Sequence, residues 1–433
     1  MESGLPYLWL TLCDPDPQTN GQFIYSGGLI RAVAKAGAEL TVLGLSRKSG
    51  RSHHRSEPNI DWQFAEDRPM NRWMRLASSF PSTALRTRVP DMRTALAAHL
   101  ASGHWDAVVL DSINAGWALP HVLRYRRRHP STKVVYLAQN QETMAMRTLA
   151  QAERGWRRAV RFMDVVKTNR MERRLVRMAD LVTADSPDDC KALAALSPGK
   201  PVVFVPPGYD GPRIARRTID SSLPRRAVVV GSFDWAPKRL SLEAFLTVAA
   251  PLFAAKGIAL QLVGRTEGSH VAALRRRFPS VEIVGTVPDV RPYMAKARLA
   301  LVPDTLGGFK LKSLDYVFNR LPIFALEGAV PGTPLDDRRG IRLFKSHAEL
   351  ARGVVETIDD TAALNEQQET AFALAADCFD WQAIGHSLVR QIRKAPIACC
   401  AEASEDYFTV APANVRRNSG RLRERCTSAL KPD

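Results

Sequence analysis

The sequence predicts an α/β fold in which two doubly wound, Rossmann-like domains face each other across a cleft. Short apolar strands alternate with helical segments along most of the chain, as is typical of a parallel sheet covered by helices. The alternation stops at a stretch rich in Pro, Gly, Arg and Ser and then starts again. Two similar halves imply a cleft at their junction, which is a common place for a ligand.

Changes in composition define the domain boundaries that we predict. The first domain covers residues 1–206, the linker covers 207–223, and the second domain covers 224–378. Residues 379–394 form a helix that we expect to pack back on the first domain. Residues 395–433 are polar and arginine-rich, so we expect a disordered basic tail.

The first domain is expected to begin with a strand, a loop, a helix and a second strand. The helix ends at Gly37, a residue type that suits the left-handed conformation after a helix. The opening has no G-x-G-x-x-G fingerprint, so nothing in it supports a dinucleotide site. The elements predicted for this domain are strands at 7–13, 39–45, 106–111, 133–138, 181–184 and 202–205, and helices at 22–36, 115–128, 142–178 and 187–196.

The second domain repeats the alternation and then ends in a run of helices. Each strand is a short apolar run bounded by glycine, proline or polar residues. The elements predicted there are strands at 227–230, 258–263, 281–284, 299–302 and 323–326, and helices at 241–255, 269–278, 309–319, 347–359, 362–378 and 381–394, with a short helix ending at 294.

Charge and cysteine usage narrow the class of protein. The 433 residues include 61 Lys and Arg against 44 Asp and Glu, a net charge of +17 that favours anionic partners. The six cysteines show no metal-ligand or disulfide spacing, as expected of a reduced, cytoplasmic protein. The apolar run at 7–13 is too short for a signal peptide, and no stretch reaches the roughly 18 apolar residues of a spanning helix.

Residues 301–326 carry the clearest functional signal. An apolar strand is followed by a loop with Gly307 and Gly308, a helix and a second strand. In a parallel sheet this order places the loop at the carboxyl ends of the strands, with the amides of the helix start facing the cleft, which suits a phosphate. A simple turn at the two glycines is the alternative interpretation.

Three charged residues of this segment indicate the same kind of ligand. Lys310 and Lys312 lie at the helix start, where the dipole disfavours cations, so an anionic ligand would relieve the conflict. Asp315 lies one turn beyond Lys312 and could accept both hydroxyl groups of a ribose. The alternative is a solvated helix face.

Five stretches, taken in order and spacing, resemble a known family. They resemble the GT-B-fold glycosyltransferases, in particular the retaining family four, the glycosyl transferases group one of bacterial cell-surface polysaccharide synthesis. The stretches are 20–45, YLAQNQE at 136–142, 178–210, VVVGSFDWAPKR at 228–239, and LVGR at 262–265 with VGTVPDV at 284–290 continuing into 307–322.

The resemblance implies a sugar-nucleotide site, mostly in the second domain. Asp315 matches the carboxylate on the ribose, and the amides around Gly307, Gly308 and Phe309 match the diphosphate cradle. The other positions implied for the donor are Gly21 and Gly231 beside the phosphates, Thr286 and Val287 at the base, Lys238 or Arg239 as a cation on the leaving diphosphate, and Lys310 and Lys312.

The resemblance also implies the reaction. A sugar would pass from a nucleoside diphosphate to a hydroxyl of a glycan or lipid-linked acceptor, with retention, in cell-surface polysaccharide or glycolipid synthesis. Asn140 and Glu142 match the acceptor-side loop. Front-face transfer of this kind needs no protein nucleophile, no cofactor and no metal, and no Asp-x-Asp pair stands at a strand end. Glu142 as a general base would instead imply inversion, and a surface acid at a helix start is its alternative.

Three positions depart from the family pattern. Gly307 stands where the first glutamate of a paired motif is usual, Gln139 replaces a histidine, and Ser232 replaces an arginine. The departures fit a divergent subfamily or, as the alternative, an inactive GT-B-like binding or scaffold protein. A nucleic-acid-binding protein is a remote alternative, because no nucleic-acid module is present, and no nucleic acid is expected as a partner.

Basic clusters in the first domain suggest where the acceptor is met. Arginines alternate with aromatic and apolar residues at 68–76 and 154–162 and form a run at 124–128. Such clusters fit peripheral contact with an anionic membrane at its inner face, which would bring a lipid-linked acceptor within reach. The alternative is a solvated basic face.

Overall fold

Two sheets organise the chain, one in each half. The structure is a computed structural model, and it describes residues 5–18, 20–47, 51–68, 77–233, 236–305 and 308–397. The first sheet has the order β3-β4-β2-β1-β5-β6-β7-β8, and its neighbours are parallel except β3 and β4. Its strands are β1 (Leu5–Cys13), β2 (Ala38–Leu45), β3 (His53–Glu57), β4 (Ile60–Ala65), β5 (Ala107–Asp111), β6 (Lys133–Ala138), β7 (Leu181–Ala184) and β8 (Val202–Phe204).

Helices cover both faces of this sheet, and its central strands are therefore apolar on both sides. All five residues of β5 are buried, for example. The helices are α1 (Gly21–Lys35), α2 (Ser82–Thr87), α3 (Pro90–Ser102), a 3-10 helix (Ile113–Ala118), α4 (Leu119–Arg126), α5 (Glu142–Ala152), α6 (Gly155–Met178) and α7 (Pro187–Ala194).

The second sheet has the order β11-β10-β9-β12-β13-β15-β14. Its strands are β9 (Arg226–Val230), β10 (Ala259–Val263), β11 (Val281–Gly285), β12 (Leu299–Val302), β13 (Ile323–Leu326), β14 (Asp336–Asp337) and β15 (Gly340–Phe344). The helices of this half are α8 (Ala236–Ala255), α9 (Gly268–Arg277), α10 (Arg291–Ala295), α11 (Leu311–Phe318), α12 (His347–Thr357), α13 (Thr361–Ala375) and α14 (Trp381–Lys394).

The predicted fold class of two doubly wound parallel sheets is confirmed. In each sheet the strand order reverses at one place, next to β1 in the first and next to β9 in the second. Ligands of open α/β sheets bind at such switch points, outside the carboxyl ends of the strands. The loops after β9 and β12 are therefore the place to look for a site.

Some local predictions differ from the structure. The region 142–178 is not one helix but two, because the chain leaves the helical conformation at Glu153 and Arg154 before Gly155, whose φ is 59°. Strands β3, β4, β14 and β15 were not predicted. In β4 the alternation of buried Ile60 and Trp62 with partly exposed neighbours is a strand signal that the sequence analysis missed.

The last helix, α14, returns to the first half and packs on α1. The ring of Trp381 lies where a Cβ on Gly28 would come within 2.2 Å and one on Gly208 within 2.3 Å. A Cβ on Gly385 would come within 2.2 Å of the carbonyl oxygen of Ala32. Glycine is thus needed on both helices for this close approach.

Candidate active site

A lysine cluster surrounds one carboxylate beyond the carboxyl end of β12. Asp304 accepts an ion pair from the Lys310 ammonium on Oδ1 and from the Lys312 ammonium on Oδ2, both at 2.9 Å. The Asp304 and Lys310 side chains are only 7% and 4% exposed. The sequence analysis expected an external anion to relieve the lysines at this helix start, whereas Asp304, which it did not name, already relieves them in part.

A third lysine adds to the positive charge. Lys238, on α8, interacts electrostatically with Asp304, Lys310 and Lys312. Burial lowers the pKa of Lys238, and burial lowers the pKa of Lys310 to about 8 although Asp304 opposes the shift. Burial alone would raise the pKa of Asp304, but Lys312 and Lys310 outweigh it and hold this pKa well below its usual range.

Gly231 lies beside this cluster at the end of β9. Its N–H donates to the carbonyl of Val263 at 3.1 Å, which extends the ladder between β9 and β10 by one residue. A Cβ on Gly231 would lie 4.0 Å from the Lys312 ammonium nitrogen. The glycine therefore leaves an open backbone surface next to a cation, as the resemblance implied for a phosphate site.

Asp315 lies on α11, one turn beyond Lys312, and is partly exposed. The hydroxyl of Tyr209, from the segment that joins the two halves, hydrogen-bonds to its carboxylate. Burial raises the pKa of Asp315 to about 6, while the Tyr209 hydrogen bond and the charge of Arg291 oppose the rise. Above that pH the carboxylate is an acceptor that could receive the hydroxyls of a pentose.

The loop before α11 contacts the first half of the chain. The Gly308 N–H donates to Asn140 Oδ1 at 2.7 Å, and the Phe309 N–H donates to the carboxylate of Asp185. A Cβ on Gly308 would come within 2.5 Å of Asp185 Oδ1 and 2.9 Å of the Gln139 carbonyl oxygen. Only glycine permits this approach, and the predicted phosphate-binding amides face the other lobe. Gly307, their predicted neighbour, lies outside the described residues.

Asp185 is a residue that the sequence analysis missed. It follows β7 and precedes Ser186, the N-cap of α7, so it reads locally as part of a helix cap. Burial raises its pKa well above the usual range, and the nearby charge of Asp189 adds to the rise. Its position at the carboxyl end of a parallel strand is the signal that could have identified it.

Glu142 begins α5 and lies on the first-lobe side of the same gap. Its N–H donates to Glu172 Oε1 at 2.7 Å, and its side chain hydrogen-bonds to Asn140. Burial, followed by the charge of Glu172, raises the pKa of Glu142 to about 7. Asn140 therefore connects the Glu142 carboxylate to the Gly308 amide of the second lobe.

The remaining predicted residues lie at or near the carboxyl edges of the two sheets. Gly21 begins α1 and faces the second lobe, since a Cβ there would lie 3.4 Å from a methyl group of Leu311. Arg239 pairs with Glu267 at 3.7 Å. Thr286 is exposed and Val287 is partly buried, and both follow β11.

Gln139 does not replace the usual histidine in function, because its side chain is buried in a polar network of the first lobe. Its amide donates to Ser26 Oγ and to Asp111 Oδ1, both at 2.8 Å. Asp111 also accepts hydrogen bonds from Trp9 and Thr11. Asp111 is thus a satisfied core carboxylate, and its pKa is raised by burial.

The basic clusters differ in their surroundings. Arg126, within the run at 124–128, is buried and pairs with Asp180 at 3.1 Å, so it is a core residue and not part of a basic surface. Residues 69–76 lie outside the described residues. The arginines at 154–162 are exposed.

Two searches of the described part of the chain returned nothing. No helix there is long and apolar enough to span a membrane. No group of three or more His, Cys, Asp or Glu side chains there has the arrangement of a metal site.

Comparisons with known proteins agree with this architecture. Residues 224–360 match the family model Glycosyl transferases group 1. No curated protein sequence matches the chain. Among solved structures, a sucrose-phosphate synthase from Thermosynechococcus elongatus is similar with a TM-score of 0.69 and 17% identity, covering 90% of this chain and 98% of that chain.

Two further solved structures show the same likeness. The catalytic domain of starch synthase IV from Arabidopsis thaliana, bound to ADP and acarbose, has a TM-score of 0.64 at 11% identity and covers 90% of this chain and 99% of that chain. An α,α-trehalose-phosphate synthase (UDP-forming) from Burkholderia vietnamiensis has a TM-score of 0.57 at 12% identity, with the same coverage. At these identities the likeness establishes the fold. The chain therefore has the GT-B fold, and its second lobe belongs to the glycosyl transferases group 1 family.

Proposed function

We propose that this protein is a glycosyltransferase that moves a sugar from a nucleoside-diphosphate sugar to a hydroxyl of a glycan or lipid-linked acceptor. The observation that carries the proposal is the lysine cluster, in which three ammonium groups share one carboxylate beside open glycine backbone. Such an excess of buried positive charge suits a diphosphate and little else that a cytoplasmic protein meets. ADP in the starch synthase structure and the UDP-forming activity named for the trehalose-phosphate synthase support a nucleotide donor.

The proposed chemistry follows from electrostatics. When the bond between the anomeric carbon and the diphosphate breaks, negative charge grows on the leaving phosphate. Lys238, Lys310 and Lys312 would stabilise that charge, and the Gly308 amide would add a fixed dipole once a donor replaces Asn140. Asp315 would hold the ribose, as its place one turn along the same helix supports.

Retention of configuration is the stereochemical outcome that we propose. The leaving phosphate would take the proton of the attacking hydroxyl on the same face, so no protein nucleophile is required. Glu142 supports a second route, since its pKa of about 7 suits a general base that would give inversion. The anomeric configuration of the product, read by NMR, separates the two routes.

A catalytically inactive GT-B-like binding protein is the second candidate. One observation favours it: the Gly308 and Phe309 amides, which the donor would need, already bind Asn140 and Asp185 of the first lobe. A transferase must release these contacts on donor binding, whereas a scaffold need not.

The test is a thermal-shift screen of UDP-, GDP- and ADP-sugars, followed by transfer assays with a membrane lipid extract or free sugars as acceptor. We expect one nucleotide sugar to stabilise the protein, and Asp315→Asn to lose most of that stabilisation. Asp289→Asn, which changes an exposed ion pair with Arg291, is the matched control. Binding without transfer to any acceptor would favour the scaffold, and no nucleotide effect would overturn the proposal.

We further propose that the pathway is cell-surface polysaccharide or glycolipid synthesis, in which the acceptor is carried on a membrane. The net charge of +17 supports a partner of opposite sign. Activity confined to the lipid fraction of the acceptor panel would agree with this pathway. Equal activity on free sugars would contradict it.

A further inference from the structure

The first half of α6 exposes an apolar stripe to solvent. Trp156, Met163 and Val166 are 73%, 48% and 47% exposed, and Ala159 between them is exposed as well. Their spacing of three and four residues places them on one face of the helix. Phe162 lies at the edge of the stripe and is 37% exposed. Single exposed apolar residues are ordinary, but a continuous stripe of this kind marks a contact surface.

The body of the protein does not cover this stripe, because it packs on the other side of α6. The inner side of the helix buries Val165, Thr168 and Leu175, and Met146 of α5 joins Val165 in a small apolar cluster. The inner side is also fixed to α2, since Asp164 accepts hydrogen bonds from the Ser82 N–H at 2.8 Å and from its hydroxyl. The outward orientation of the stripe is therefore set by packing.

The same outer face continues as arginine. Arg170, Arg173 and Arg177 follow Val166 at the same spacing, and all three are exposed. Among the described residues none of them forms an ion pair with a carboxylate. We define the α6 face as the seven residues Trp156, Ala159, Met163, Val166, Arg170, Arg173 and Arg177.

We propose that the α6 face docks the protein on an anionic lipid bilayer, with the apolar stripe in the headgroup–acyl boundary and the arginines on lipid phosphates. Apolar area and positive charge on one helix face are the two terms that bind an interfacial helix to such a membrane. An RNA or an acidic protein would match the arginines but not the exposed Trp, Met and Val.

The position of this face relative to the gap rests on the proposed function and gives it a location. Glu172 of α6 accepts the Glu142 N–H, so the arginine end of the face is level with the first-lobe side of the gap. Trp156 lies about 24 Å further along the helix, at about 1.5 Å per residue. A lipid-linked acceptor would thus enter from the arginine end.

The experiment is co-sedimentation of the full chain with vesicles of phosphatidylcholine alone or mixed with phosphatidylglycerol, without donor or acceptor. We expect binding to the mixed vesicles only. The double variant Trp156→Ser, Met163→Ser should bind at least about tenfold more weakly. Each of Arg170→Gln and Arg173→Gln should cost about fivefold.

Two control variants change comparable exposed residues of the second lobe, Val248→Ser on α8 and Arg276→Gln on α9, and should bind as the unchanged protein does. Equal loss in these controls, or full binding by the Trp156 and Met163 double variant, would overturn the proposal in favour of general electrostatic adsorption. Nucleotide-sugar stabilisation, measured in parallel, keeps the two proposals apart. Its loss with vesicle binding intact would refute only the transferase, and the reverse would refute only the membrane contact.

Discussion

Replacing Asp304 with asparagine tests the lysine cluster most directly. The change keeps the shape of the side chain but removes the only carboxylate between Lys310 and Lys312, which are 4% and 14% exposed. Breaking a buried ion pair from one side costs about 3–5 kcal/mol, because the partner charge stays desolvated. We expect a loss of that size in the free energy of unfolding of Asp304→Asn at pH 7.

The size of this loss should depend on pH in a defined direction. Burial already lowers the pKa of Lys310 to about 8 from an unfolded value of 10.5, and Asp304 opposes the shift, so the variant lowers it further. In this window the unfolded chain binds more protons than the folded one, so stability rises with pH. The deficit of the variant should therefore shrink between about pH 7 and pH 9 as Lys310 deprotonates.

The assay is urea unfolding followed by fluorescence, at several pH values and with or without the nucleotide that stabilises the unchanged protein. The nucleotide should stabilise Asp304→Asn more than it stabilises the unchanged protein, since its phosphates would replace the missing charge. Asp289→Asn, in an exposed ion pair with Arg291, should change little at any pH. A loss below about 1 kcal/mol, or a deficit that grows with pH, would refute the reasoning.

Three further predictions concern the lobe contacts. Asp185→Asn removes a carboxylate from the Phe309 amide, so we expect tighter nucleotide binding in calorimetry; unchanged or weaker binding would show that the carboxylate does not compete with phosphate. Glu142→Gln should abolish the fall in stability that the unchanged protein shows as pH rises from its unfolded pKa of 4.5 to about 7, because the folded carboxyl holds its proton longer; parallel pH–stability curves would contradict this. Gly28→Ala places a Cβ within 2.2 Å of the Trp381 ring and should cost more than about 2 kcal/mol, read by thermal unfolding; a neutral effect would mean that α14 shifts freely.

The sequence predicted the alternation of elements well because buried parallel strands are continuous apolar runs. The strand β5, buried at every position, shows why such runs are easy to recognise. It did not predict β3, whose sequence HHRSE has no apolar side and which forms only because it pairs with β4 at the sheet edge. It also joined α5 and α6, because no proline marks the break and Gly155 alone was too weak a signal.

The candidate site could be predicted in its parts but not in its connections. Gly308, Lys310 and Asp315 were identifiable because their spacing on one strand, loop and helix unit fixes where they lie. Asp304 and Asp185 were not, because their partners are set by how a loop folds back and by how two lobes meet. Contacts between distant segments leave no local pattern in the sequence.

The return of α14 to the first lobe has a consequence for the order of synthesis. The surface of α1 at Gly28 and Ala32 is complete only when Trp381 and Gly385 have been made, near the end of the described chain. A nascent chain that has released the first lobe from the ribosome still presents this apolar surface during translation of the whole second lobe. The first lobe thus finishes folding last, and truncation before residue 381 would leave both lobes present but the earlier one uncovered.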